Sequence, residues 1–212
     1  MDNIEVKVVL ASSFIDSQFI FKDLSMHLKN RDILFVTGKN GCGKTTFIKS
    51  LCGIHRIESG SILFNKISIY KQNCDLKNNI VYIGHKNSLH NDLTVSENLK
   101  YLSEFDSSIY KKNLSQEICK LLDFFNLQKY KNYMVSKISE GNKKKVSLSR
   151  LFLTKKKIWL LDEPLSFLDD DTKNLLEELI LRNRDFGGIT IASTHTNFLH
   201  KIKDAIFLDM NT

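Results

Sequence analysis

Proline is almost missing from this chain: its 212 residues contain one, Pro164, beside nine glycines. So little of either excludes collagen-like, proline-rich and glycine-rich linker sequence. Cysteine is scarce too, and Cys42, Cys52, Cys74 and Cys119 form no CxxC pair and no disulfide framework. With no cysteine pair to complete a zinc set, the pattern points to a reducing compartment. No apolar run approaches the ~18–20 residues that cross a bilayer as a helix. The first twenty residues hold Asp2, Glu5 and Asp16 and no arginine, which argues against a secretory signal or an import presequence. Any tie to a membrane is therefore expected through a partner. Arginine is rare as well, five of the 31 basic residues. The formal net charge of +7 is lysine spread along the chain, without an arginine-and-aromatic cluster, so no nucleic-acid partner is expected.

What is present suits a folded α/β chain. Hydrophobic residues make up 42% and charged residues 26%, and the length fits one large domain over 1–212. Short apolar runs at 4–10, 18–21 and 33–37 read as strands, with Asn30-Arg31-Asp32 as a turn before the third. Residues 45–52 read as a helix with Phe47, Ile48 and Leu51 on one face and Gly53 as its stop. From about 87 to 137 there is no glycine, no proline and no convincing strand. Thr94-x-x-Glu97 is a capping box opening one helix, and Leu114, Ile118, Leu121, Leu122 and Phe125 line a second. This stretch is expected to be a helical subdomain inserted between core segments 1–86 and 138–212. After Ser139 come a helix to about 153, a strand at 158–161, a helix at 171–184 and a strand at 189–193. Such alternation implies a mostly parallel sheet covered by helices, with antiparallel strands before it.

Gly38-Lys39-Asn40-Gly41-Cys42-Gly43-Lys44-Thr45, between a strand and a helix, is a Walker A phosphate loop. Its glycines let backbone N–H groups close around a β-phosphate, and the following helix adds its positive end. Lys44 is placed to reach the β- and γ-phosphates, and the Thr45 hydroxyl to ligate Mg²⁺. Asn40, Cys42 and Thr46 complete the nucleotide-contacting stretch. Ile158-Trp159-Leu160-Leu161-Asp162-Glu163 is the matching Walker B strand. There Asp162 is expected to hold Mg²⁺ through water, and Glu163 to polarise the attacking water.

Three further segments decide among phosphate-loop proteins. Ile138-Ser139-Glu140-Gly141-Asn142 resembles the LSGGQ signature of ATP-binding cassettes, Ser166-Phe167-Leu168-Asp169 their D-loop, and Ser193-Thr194-His195 their switch histidine. The resemblance covers nearly the whole chain. It implies an ATPase with Glu163, His195 and Lys44 catalytic, and a homodimer in which Ser139 and Gly141 complete the partner's ATP site. Glu140 and Asn142 depart from the signature, Glu140 bringing a carboxylate close to the expected phosphate. Counting back without gaps from Leu93-Thr94-Val95, the Q-loop glutamine falls on His85, another departure. Phe14 is the candidate for stacking on adenine, with core packing as its alternative.

Among cassettes the chain most resembles the CcmA family, the ATP-binding subunits of the haem exporter of cytochrome c maturation. The resemblance rests on Tyr82-Ile83-Gly84-His85, Leu93-Thr94-x-x-Glu97-Asn98-Leu99, Trp159 to Pro164, and Gly187-Gly188-Ile189-x-Ile191-x-Ser193-Thr194-His195. It implies membrane subunits like CcmB, CcmC and CcmD. The expected location is the cytoplasmic face of a bacterial inner membrane, or the matrix face of a mitochondrial one. A transporter cassette for another solute, or a non-transport cassette, stays open as an alternative.

Overall fold

The structure is a computed structural model that describes residues 3–15, 18–104, 106, 113–194 and 202–211. In chain order come β1 (Glu5–Ile15), β2 (Gln18–Lys29), β3 (Ile33–Thr37), α1 (Lys44–Leu51), β4 (Ser59–Phe64) and β5 (Ile67–Ser68). A short α2 (Leu76–Asn79) leads into β6 (Ile80–Ile83), followed by α3 (Val95–Glu104), α4 (Leu114–Phe124) and α5 (Glu140–Leu153). The chain then forms β7 (Ile158–Leu161), α6 (Asp170–Asp185), β8 (Ile189–Ser193) and β9 (Ile206–Asp209).

Strands β6-β7-β8-β3-β9, in that order, make a parallel sheet. A strand that is apolar along its length needs cover on both faces, and β3 and β7 receive it by period-two alternation. Leu34, Val36, Ile158 and Leu160 face one side, packed with Phe47, Ile48 and Leu51 of α1. Ile33, Phe35, Trp159 and Leu161 face the other, against Leu148 and Leu151 of α5 and Leu176, Leu179 and Ile180 of α6. The antiparallel sheet β2-β1-β4-β5 closes over α1, with Val6, Val8, Leu28, Ile62 and Phe64 in the same core. The α/β architecture is thus as expected, a parallel sheet with an antiparallel one before it. The first two strands, however, run well past the segments 4–10 and 18–21. Ser12 and Ser13 continue β1 although they are polar. Ser12 Oγ bonds Asp23, and Ser13 Oγ lies 2.7 Å from His55 Nε2, so both stay buried without an unpaired hydroxyl. Bulges between Val8 and Phe14 bend the strand and break the alternation that would have marked it.

Residues 89–138 carry an apolar cluster of their own: Val95, Leu99, Ile118, Leu122, Phe125, Leu127 and Val135, joined by Val146 of α5. The capping box forms as read, with Glu97 N donating to Thr94 Oγ1 (3.2 Å) and Thr94 N to Glu97 Oε2 (2.8 Å). Asn98, fully buried, holds the approach to α3. It accepts from His90 N (2.7 Å) and donates to the carbonyls of His90, Leu93 and Thr94. Asn98→Ala leaves these groups unpaired in the interior and is expected to cost roughly 2–3 kcal/mol, read as a lower urea midpoint at unchanged slope.

Candidate functional site

Between β3 and α1 the chain turns through left-handed backbone at Gly38, Gly41 and Gly43. At Gly43 (φ 98°) a side chain would also meet the Ile20 side chain at 2.5 Å and its carbonyl at 2.8 Å, so only glycine fits. Lys44 opens α1 and folds back, its Nζ donating to the carbonyls of Gly38 (2.7 Å) and Lys39 (2.9 Å). The loop lines a cavity of about 370 Å³ with Asn40, Gly41, Gly43, Lys44, Thr45 and Thr46, and His85 and Glu163 form its far wall. Backbone N–H groups, a helix N-terminus and an ammonium around one hollow suit a polyphosphate.

Beneath the loop lies Asp162, completely buried. Its carboxylate accepts from Thr45 Oγ1, 3.0 Å from both oxygens, and from Ser193 Oγ at 2.8 Å. Ser193 Oγ also accepts from the backbone N–H of Glu163 at 2.8 Å. Glu163 itself sits at φ 45°, unusual for a residue with a side chain. Its Oε2 lies 3.4 Å from Ser166 Oγ and 3.6 Å from His85 Nδ1. A hydroxyl and a carboxylate, both oxygen ligands and adjacent, suit a hard divalent cation beside a phosphate. An acidic side chain one residue further, at the cavity wall, is placed to take a proton.

Residues 21–166 match the ABC transporter family. The chain is an ATP-binding cassette of that family. Relatives of the cassette named cytochrome c biogenesis ATP-binding export protein CcmA include those of Vibrio cholerae and Legionella pneumophila. The first is 31% identical over 181 residues, covering 85% of this chain and 86% of the relative. The second is 34% identical over 178 residues, covering 84% and 86%. Among solved structures, a Pyrococcus furiosus ABC transporter ATP-binding protein superposes with a TM-score of 0.79 over 97% of both chains, at 21% identity. The cassette is accordingly an ATPase subunit homologous to CcmA export proteins.

The structure brings Lys44, Thr45, Asp162, Glu163 and His85 together and keeps the signature apart. Ser139 caps α5, accepting from Asn142 N at 3.3 Å. Gly141 lies so close to the D-loop that a side chain there would meet the Phe167 carbonyl at 2.7 Å. Glu140 pairs with Lys143 in the first turn of α5 (2.7 Å) and stays exposed. Phe14 is neither core nor cavity wall. It packs edge-on against Phe19 at 5.0 Å and is 41% exposed, while Ile20 supplies the apolar wall. His195 lies outside the described residues. Sequence reasoning missed Lys144, which is 1% exposed and donates to the carbonyls of Gly84 (3.4 Å) and Asp162 (3.5 Å). Burial pulls its ammonium down to about 8, against the attraction of Asp162 and Glu163. A signal for it existed, because Lys144 stands at i, i+4, i+7 register with Leu148 and Leu151.

Asp169 caps α6 and pairs with Lys145 at 2.6 Å. The bonds from Lys145 and Thr172 hold its carboxyl down to about 2 from 3.8. A depressed folded pKa stabilises above the unfolded value and is lost as pH falls through the folded one. Asp169→Asn is therefore expected to lower the denaturant midpoint by a constant amount above pH 5, and the gap to wild type should close between about pH 4 and 2. A gap of the same size at pH 7 and pH 2 would contradict the charged pairing. With over half of the side chain exposed, solvent screening keeps the effect small.

Proposed function

We propose that the cassette powers a haem exporter of cytochrome c maturation, hydrolysing MgATP as one half of an ATP-sandwiching homodimer. The observation that carries the chemistry is the Thr45–Asp162–Ser193–Glu163 network beneath the phosphate loop. Gly38, Asn40, Gly41, Cys42, Gly43 and Thr46 contribute the loop that wraps the phosphates, and Lys44 leaves its carbonyl partners for the β- and γ-oxygens. Thr45 and, through water, Asp162 would hold Mg²⁺, which would supply charge neutralisation at the phosphates when bound. Glu163 accepts a proton from the attacking water, and ADP and phosphate leave. His85 stands beside Glu163 at the start of the segment leading to the helical subdomain, 87–137, and reports contact with a membrane partner. His195 completes the site as the switch residue. Ser139 and Gly141, at the N-terminus of α5, bind the γ-phosphate held by the other copy.

Among the described residues no helix is long and apolar enough to cross a membrane. The kinship with CcmA proteins supports CcmB-, CcmC- and CcmD-like membrane subunits as the partners. The cassette then sits on the cytoplasmic face of a bacterial inner membrane or the matrix face of a mitochondrial one.

Lys44→Ala is expected to weaken ATP binding at least 100-fold by calorimetry, since it removes the ammonium nearest the phosphates; unchanged affinity would refute the phosphate-loop roles. For the partners, the tagged cassette is captured from detergent-solubilised membranes of its own cell. Recovery of a CcmB-like subunit, with loss of covalent haem from c-type cytochromes on depletion, is expected. Recovery of a permease for another solute, with cytochromes intact, would reject haem export and leave the ATPase reading standing.

A further inference from the structure

We propose that Lys144 is a positioning residue, through which the signature helix sets the orientation of the peptide joining Asp162 to Glu163. The proposal rests on the roles given above to those two carboxylates. The geometry centres on one peptide group. Its carbonyl, that of Asp162, accepts from Lys144 Nζ at 3.5 Å, and its N–H, that of Glu163, donates to Ser193 Oγ at 2.8 Å. Gripped at both polar ends, the peptide plane cannot turn freely. That plane fixes where the Glu163 carboxylate begins, and Glu163 occupies the left-handed backbone region that needs outside support. The same ammonium reaches the carbonyl of Gly84 at 3.4 Å, immediately before His85. One side chain of α5 therefore touches the roots of both residues that meet at the cavity's far wall, His85 and Glu163.

A structural filler would not have this form. An ammonium carries three donors, and here it finds two carbonyls at the long end of hydrogen-bonding range. Methionine would fill similar space without the desolvation penalty of a buried charge. The cation is balanced instead by the nearby carboxylates of Asp162 and Glu163. Helix α5 is also fastened to the segment after β7 by the Gly141–Phe167 approach and the Lys145–Asp169 ion pair. A displacement of the helix N-terminus, where Ser139 and Gly141 lie, thus reaches Glu163 through Lys144. In the proposed dimer, that links the phosphate held by one copy to the catalytic carboxylate of the other.

The test compares Lys144→Met, which keeps length and removes charge, with Lys144→Arg, which keeps charge, in the purified full chain. Phosphate release from MgATP gives kcat and KM, calorimetry with the non-hydrolysable analogue AMPPNP and Mg²⁺ gives affinity, and thermal melting reports the fold. Lys144→Met is expected to lower kcat at least tenfold, with KM and affinity within threefold of wild type and an equal or higher Tm. Lys144→Arg should restore kcat to within about threefold of wild type. The proposal is overturned by Lys144→Met with kcat within twofold of wild type, by parallel losses of kcat, affinity and Tm, or by Met and Arg variants equally impaired. Glu163→Gln, assayed alongside, separates the two levels. If it hydrolyses ATP at the wild-type rate, the assignment of Glu163 fails; if it is inactive while Lys144→Met keeps kcat within twofold of wild type, only the positioning role fails.

Discussion

A carboxylate with no exposure to water must be surrounded by donors, and in this cassette that requirement falls on Asp162. Its side-chain partners come from two elements, Thr45 from α1 and Ser193 from the end of β8, and Ser193 Oγ in turn accepts from the backbone N–H of the next residue, Glu163. Each bond fixes something functional. Thr45 registers the phosphate loop against the sheet, Ser193 registers β8 against β7, and the Glu163 N–H places the acidic group at the cavity wall. The parallel sheet makes this possible, because adjacent parallel strands deliver their C-terminal ends to one edge, the place where open α/β sheets build ligand sites. Loss of the charge on Asp162 would unfasten the loop, the strand and the acid together.

Segments whose local chemistry allows one solution were legible in the sequence. The glycines at 38, 41 and 43 admit left-handed backbone, and all three adopt it. The apolar run at 158–161 needed cover on both faces and has it. Thr94 and Glu97 carried the two halves of a reciprocal cap within four residues. Segments that depend on distant partners were not legible. β1 continues through Ser12 and Ser13 because Asp23 and His55 arrive from elsewhere to satisfy them. β9 is exposed over most of its length and borrows its pairing from β3. Lys144 was hidden by its neighbours: in Lys143-Lys144-Lys145, three identical side chains meet three environments. Lys143 turns to Glu140, Lys145 to Asp169, and only the middle one goes inward.

The separation between the signature and the phosphate loop gives the account its main consequence. Gly141 is packed on the D-loop and Ser139 bonds within its own helix, so neither lines the cavity formed by Lys44, Thr45 and Glu163. In the proposed sandwich, where the opposite copy completes the site, hydrolysis would be conditional on assembly, and assembly conditional on ATP. Glu140, the carboxylate within the signature, is paired with Lys143 of the same helix turn. In the proposed complex, the His85 segment is the link between this site and the surface that would dock a membrane partner.

The central claim, that two copies close on bound ATP and reopen by hydrolysis, is tested most directly by light scattering on the Glu163→Gln chain with and without MgATP. The substitution leaves Lys44, Thr45 and Asp162 in place and removes the proton acceptor, so nucleotide should bind and persist. The account predicts a monomer without nucleotide and a stable dimer with it, while wild type under the same conditions stays mostly monomeric. A Glu163→Gln chain that binds MgATP yet remains monomeric, even when Glu140→Gly is added to remove the signature carboxylate, would contradict it.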